Sequence, residues 1–423
     1  GLDRAKGRIL APVWGEGVPL GSPLHASQVS ADRSTLYLVT QTAAPSTSLA
    51  TAVDARTGRV QWQIPLGLSC QGDPLRLGSS SVFALDPNGA VYRFDVTRHE
   101  ADGGAAWQAD GVQINKPIPD LVAPPLMLPG PDYLNAYVFA CRRVDGKFRF
   151  VIRSLGGSQD KTMEPLDSPP AGPPAVGPRA IVVPLADGSL CRLSLDERVT
   201  RCQLGPNWRA LGAKADERGM VVHWRDDEYL FTDRTRRLTR IIWGDDKYQI
   251  GSEGPLDLRQ RVTALVPWRG DGDEPGAAVA DTSGTITLVT GNLPKVARAW
   301  RVGTITAGPW STGIGLAVVV DRKKLLLLDR EKEPPLWTAE TPGDGIEVRP
   351  QYYEKHWIVA DASGLFLALD PKTGQQVGGG YRHPAIVAPT ASPAVLGAGR
   401  MFAPLTDGTA LILSVAELTK PRN

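Results

Sequence analysis

Apolar residues in this chain come in short runs that pair across tight turns. In the clearest pair, residues 82–85 and 91–95 flank Pro87-Asn88-Gly89. The same design joins 181–185 to 190–195 at Asp187-Gly188, 279–281 to 285–289 at Ser283-Gly284, 358–361 to 365–370 at Ser363-Gly364, and 401–405 to 410–415 at Asp407-Gly408. Asn-Gly and Asp-Gly accept the positive φ angles of tight hairpins, so each pair predicts two antiparallel strands. Weaker copies pair 36–40 with 49–54, 137–141 with 148–152, 221–224 with 229–233, and 316–320 with 325–329. No long segment with a 3.6-residue apolar period interrupts them.

The first strands of these nine units start about 46 residues apart on average, from Leu36 to Met401. Short strands at that period predict an all-β fold, a single closed β-propeller of four-stranded blades spanning 1–423. Nine blades follow from the count; eight is the alternative, because the fifth unit is degenerate. A tryptophan marks the fourth strand at Trp62, Trp107, Trp243, Trp300 and Trp337, and Trp14 has the same setting near the start. The last unit runs out after its third strand. Residues 8–17 are therefore expected to supply the outer strand of the last blade, hiding an open edge; their loss should damage the whole ring. Residues 18–419 hold the repeats and 420–423 a tail.

The first unit reads Ala52-x-Asp54-x-x-Thr57-Gly58-x-x-x-Trp62-x-x-x-x-Gly67. This resembles the tryptophan-docking motif of the pyrroloquinoline-quinone-like β-propeller repeats. Another unit keeps Ala368, Asp370, Thr373 and Gly374 with Val377 near the Trp place, and others keep Asp329 with Trp337 or Asp95 with Gly103 and Trp107. The six tryptophans read as structural wedges between blades, each N–H finding a backbone acceptor. In the quinoprotein dehydrogenases of this superfamily the resemblance implies a vicinal Cys pair, calcium-binding carboxylates and a channel Asp. Cys70, Cys141, Cys191 and Cys202 are never adjacent, and no acidic cluster recurs at the inner strands. The chain looks more like the non-catalytic branch with the BamB-type lipoproteins, which implies a protein or envelope-complex partner and a periplasmic or extracellular location. That type has eight blades and an acylated N-terminal Cys, whereas the first cysteine here is Cys70.

Composition narrows the function further. With 47 basic and 45 acidic residues the net charge is +2, too small to support a nucleic-acid partner. The longest apolar runs, such as 325–328, fall far short of the ~18 residues of a membrane span. The five histidines fall in different units without metalloprotease spacing, and neither a nucleophile elbow nor a phosphate loop occurs. Asp271, Asp273 and Glu274 resemble a calcium loop, but Arg269 and Ala277 stand where its first and last ligands belong; a solvated turn is the preferred reading. If Asp196-Glu197 is a two-residue turn, Cys191 faces Cys202 across two strands, giving either a disulfide or two small buried residues.

The expectation is thus a non-enzymatic extracytoplasmic scaffold without a cofactor. The alternatives are a quinone-dependent dehydrogenase with atypical ligands, or a ligand-sensing domain of a larger receptor. Its working face is expected to carry the connections between blades together with the turns between second and third strands. The longest such stretches are 110–123, 244–261 and 42–48, making Lys116, Asp245, Asp246, Lys247 and Tyr248 the candidate contact residues.

Overall fold

The computed structural model describes residues 24–41, 48–66, 70–77, 81–95, 106–108, 111–130, 135–155, 160–196, 198–209, 218–233, 235–245, 247–268, 274–312, 314–383, 388–406, 408 and 410–421. They form nine antiparallel sheets, and the helix among them, Val415–Leu418, is a single turn. In eight of the sheets the first four strands pair in sequence order, and in the ninth the fourth strand comes from earlier in the chain. The hairpins at Asn-Gly, Asp-Gly and Ser-Gly pair as antiparallel strands across those turns. In the eighth sheet His356–Ala360 pairs with Leu365–Leu369, Ile358 facing Ala368. Asp361 Oδ1 organises the turn between them, accepting from Ser363 N–H at 2.8 Å, Ser363 Oγ–H at 2.6 Å and Leu365 N–H at 3.1 Å. Gly364 supplies a φ of +73°. Asp281, Ser283 and Thr285 repeat the arrangement in the sixth sheet.

The middle strands read as unbroken apolar runs because both their faces are covered. Gly315–Val320 and Gly276–Asp281 are buried at every residue. The fourth strands are half wet, as in Lys295–Arg301, where Trp300 is the buried residue.

Hydrophobic clusters sit between sheets, and their order gives the architecture. Leu85 and Val91 of the second sheet pack on Val138 and Ala140 of the third. Successive clusters then join third to fourth, fourth to fifth, fifth to sixth, sixth to seventh, seventh to eighth, and eighth to ninth. The eighth cluster joins the ninth sheet back to the second: Phe402 and Ile412 pack on Val82 and Phe94, and the two phenylalanine rings lie 4.4 Å apart. Polar groups fasten the same seam. Ser392 N–H donates to Asp73 Oδ1 at 2.9 Å, and Arg349 pairs with Asp73 at 3.4 Å.

Eight interfaces therefore link eight sheets, from residue 70 to residue 418. Of the first sheet, Leu24–Val29, Thr35–Gln41, Ser48–Asp54 and Val60–Leu66, no residue whose side chain is described enters these clusters.

The closing strand departs from expectation. Residues 8–17 lie outside the described residues, and the edge of the ninth sheet is taken by Ala106–Gln108, with Ile412 facing Trp107. Trp107 was expected in the fourth strand of the second sheet; Gly111–Gln113 fills that place. The long connection after Val91–Asp95 thus serves two sheets, lending one strand to the last before returning to its own.

Candidate functional site

The tryptophan docks show how one sheet grips the next. Trp337 opens the fourth strand of the seventh sheet, and its Nε1–H donates to the Pro371 carbonyl of the eighth sheet at 2.8 Å. The receiving turn is built by Asp370, whose Oδ1 accepts from Lys372 N–H, Thr373 N–H and Thr373 Oγ–H. These donors hold the Asp370 carboxyl below its ordinary range, that of Thr373 N–H first. Gly374, at φ +70°, lies under the indole: a Cβ there would come within 2.7 Å of Trp337. Trp300 makes a similar bond to the Lys332 carbonyl at 2.9 Å. Trp243 is buried too, but it ends the third strand of the fifth sheet and not the fourth, and its N–H has no partner among the described residues.

The first sheet carries both halves of this device. Asp54 Oδ1 accepts from Arg56 N–H, Thr57 N–H and Thr57 Oγ–H, and Gly58 takes φ +74°. Trp62, however, is 41% exposed, against 4% for Trp300 and 6% for Trp337. Its ring meets Tyr37, itself 43% exposed, at 6.1 Å, and Ala52 lies between them in register, fully buried. Trp14 lies outside the described residues.

The candidate contact residues are not brought together. Lys116 is exposed on the connection from the second sheet to the third, and its carbonyl accepts from Arg153 at 2.8 Å. The stretch 244–261 is not a plain connection between sheets. It contains the fourth strand Tyr248–Ile250 and a further strand, Leu256–Asp257, both paired with Arg237–Trp243. Asp245 and Lys247 accordingly sit on the turn between third and fourth strands, closed by Gly244 N–H donating to the Lys247 carbonyl at 2.9 Å. In a four-stranded meander that turn leaves the end opposite to the connection that carries Lys116. Tyr248 is exposed, its ring edge-on to Trp243 at 5.7 Å. Asp246 and residues 42–47 lie outside the described residues.

Cys191 and Cys202 are free thiols. Cys202 faces Leu193, and Cys191 faces Leu204, two places from the expected register. The reason is the turn: Asp196 Oδ1 accepts from Arg198 N–H and the Asp196 carbonyl from Val199 N–H, so the loop runs past two residues. The thiols still interact diagonally. A hydrogen bond from Cys191 lowers the Cys202 pKa, and the same contact together with burial raises that of Cys191. Burial pushes both Cys70 and Cys141 up to about 12.

Of the acidic loop, Asp271 and Asp273 lie outside the described residues, and Glu274 pairs with Arg330 at 3.4 Å. No group of three or more metal-ligating side chains occurs among the described residues. Two groups of buried charges are paired: Arg240 lies between Glu228 at 2.9 Å and Glu253 at 2.6 Å, and Asp227 bonds Arg179. Sequence reasoning passed over four further buried tryptophans, Trp208, Trp224, Trp268 and Trp357. They share no fixed place in the repeat, so no spacing marks them.

Comparison with known proteins supports the same architecture. At 12% identity and a TM-score of 0.54, 83% of this chain overlays 95% of Sqt1 from Saccharomyces cerevisiae. The Dos1 propeller matches over 84% of this chain and 96% of its own, also at 12% identity, with a TM-score of 0.50. No curated protein sequence matches the chain. No helix among the described residues is long and apolar enough to cross a membrane. The fold is all-β and propeller-like, and residues 285–417, under a third of the chain, match the family model described as outer membrane protein assembly factor BamB.

Proposed function

We propose that this chain is a non-enzymatic protein-interaction scaffold working outside the cytoplasm. In this reading the second to ninth sheets form a closed eight-bladed propeller, and the first sheet is a ninth repeat unit displayed beside it. The observation that carries the reading is Trp62. It belongs to the one complete docking motif, yet it lies exposed beside Tyr37, whereas Trp300 and Trp337 are buried against the next sheet. Exposed aromatics in contact with each other at a tilt, on the face of a sheet, have the composition of a protein contact site. The chemistry of the Trp337 dock defines the occupant: a protein that offers a backbone carbonyl beside a glycine-bearing turn, as Pro371 and Gly374 do. The likeness of residues 285–417 to the BamB model supports the class of function and the extracytoplasmic location.

The test is affinity capture from the envelope and secreted fractions with wild type, Trp62→Ser and Val296→Ser. Val296 is exposed on the sixth sheet and serves as the control. A partner held by wild type and Val296→Ser but lost by Trp62→Ser supports the reading. Equal capture by all three removes it, and reduction of a dye by the wild type with added pyrroloquinoline quinone would replace it with a redox function.

A further inference from the structure

The hairpin of Ala136–Val144 and Lys147–Ser154 turns at Asp145 and Gly146, both at positive φ. Its register places Arg142 directly opposite Arg149. Directly opposed side chains on one face have Cβ atoms about 4.5–5.5 Å apart, and two like charges there repel. Such a pair normally has a carboxylate to offset it. Here no acid among the described residues pairs with either arginine, not even Glu164, which lies on the chain segment across from Arg149. Asp160 pairs with Arg153, and Asp167 pairs with Lys147. Asp120 and Asp145 are exposed, with no ion pair to either arginine. Neither Arg142 nor Arg149 makes an ion pair or a side-chain hydrogen bond among the described residues.

Three further observations point to a ligand. Arg142 Nε is buried without an acceptor, and an unmet buried donor of that kind costs free energy. The next pair on the same face, Ala140 and Val151, is 1% exposed, so the two arginines stand at the rim of the core between the second and third sheets. The segment 142–149 also holds Arg143 and Lys147 against the single acid Asp145. Arg143 is on the other face, its guanidinium 5.7 Å from the centre of the Phe148 ring, and does not compete for the same ligand.

We propose that Arg142 and Arg149 form a binding site for a phosphate group. Two guanidinium forks offer more donors than the two oxygens of one carboxylate can meet. A tetrahedral dianion meets both forks and cancels both charges. A free phosphate and one carried on a larger molecule share this chemistry at the two arginines.

The test uses inorganic phosphate and O-phosphoserine as ligands, each against sodium chloride at equal ionic strength, with thermal unfolding and titration calorimetry as readouts. Saturable heat and an upward shift of the unfolding midpoint with either ligand are expected. Response to inorganic phosphate identifies a free-ion site, and response to O-phosphoserine alone identifies a site for a phosphorylated chain. Arg142→Gln and Arg149→Gln should each weaken binding at least tenfold, while Arg143→Gln leaves it unchanged. In chloride alone Arg149→Gln should melt no lower than wild type, because it relieves a repulsion; this also shows that the variant is folded. The proposal is overturned if neither ligand shifts the midpoint beyond chloride, or if the shift survives in both Gln variants.

Discussion

Trp337 and Trp62 occupy the same place in the repeat motif and differ in what surrounds them. Truncating a buried aromatic costs about 3–5 kcal/mol, so Trp337→Ala should lower stability by that order in urea unfolding. Trp62→Ala, at a 41% exposed residue, should cost well under half as much. Equal losses would mean that Trp62 is docked in solution. The cysteines give a second test. Cys202 has its pKa lowered by the Cys191 thiol, so its thiolate fraction at pH 8 exceeds that of an ordinary cysteine. Cys70, Cys141 and Cys191 are buried with raised pKa values and stay protonated there. Iodoacetamide on the native protein should therefore label Cys202 first, faster as pH rises, and peptide mapping reads the order. Sequence alone placed these two cysteines on one sheet face but not in register. A register is counted from its turn, and the hydrogen bonds that lengthen the turn at Asp196 have no sequence signature as plain as Asn-Gly.

Turns were the most legible elements. Asp-x-Ser-Gly and Asp-x-x-Thr-Gly carry their own hydrogen bonds, one carboxylate oxygen collecting two backbone N–H groups and a hydroxyl, so local sequence suffices to fix the hairpin. Ala106–Gln108 was misplaced for the opposite reason: a strand of three residues has too few positions to show a period, and its partner lies three hundred residues away in sequence. Lys116 and Asp245 were likewise readable as loop residues but not as belonging to opposite kinds of loop, because Tyr248–Ile250 is equally short. The dock itself can be tested at its glycine. Gly374 and Gly146 have φ of +70° and +75°, but Gly374 lies under Trp337 while Gly146 has nothing within 4 Å. Both Ala variants bear the left-handed backbone cost of about 1 kcal/mol. Gly374→Ala should lose a further 1–3 kcal/mol from overpacking, so the difference between the two unfolding free energies isolates the indole contact. No difference would show that the ring moves aside freely.

For the whole molecule the repeat period was legible and the order in which the sheets pack was not. Nine similar units suggest nine equal members of a ring, but membership depends on which faces meet, and that is decided between residues far apart in sequence. Since no described side chain of the first sheet enters the eight inter-sheet clusters, and the ninth sheet draws its edge strand from 106–108, a chain beginning at Cys70 should keep its cooperative unfolding transition. Its melting temperature should lie within a few degrees of the full chain. Deleting 103–109 instead strips Ala106–Gln108 from the last sheet and should lower the transition sharply. If the Cys70 chain is the one that aggregates, the first sheet is part of the cycle after all.

The seam between the ninth and second sheets also sets a timetable. Asp73 bonds Ser392, 319 positions later in the chain. At roughly 5–20 residues per second, a ribosome needs about 16–64 s to make the partner that Asp73 and Phe94 await. Throughout that interval the apolar flank of the second sheet emerges with no neighbour on one side. The newborn protein should therefore depend on a holding chaperone early in its synthesis, and lose that dependence only when the last sheet has emerged.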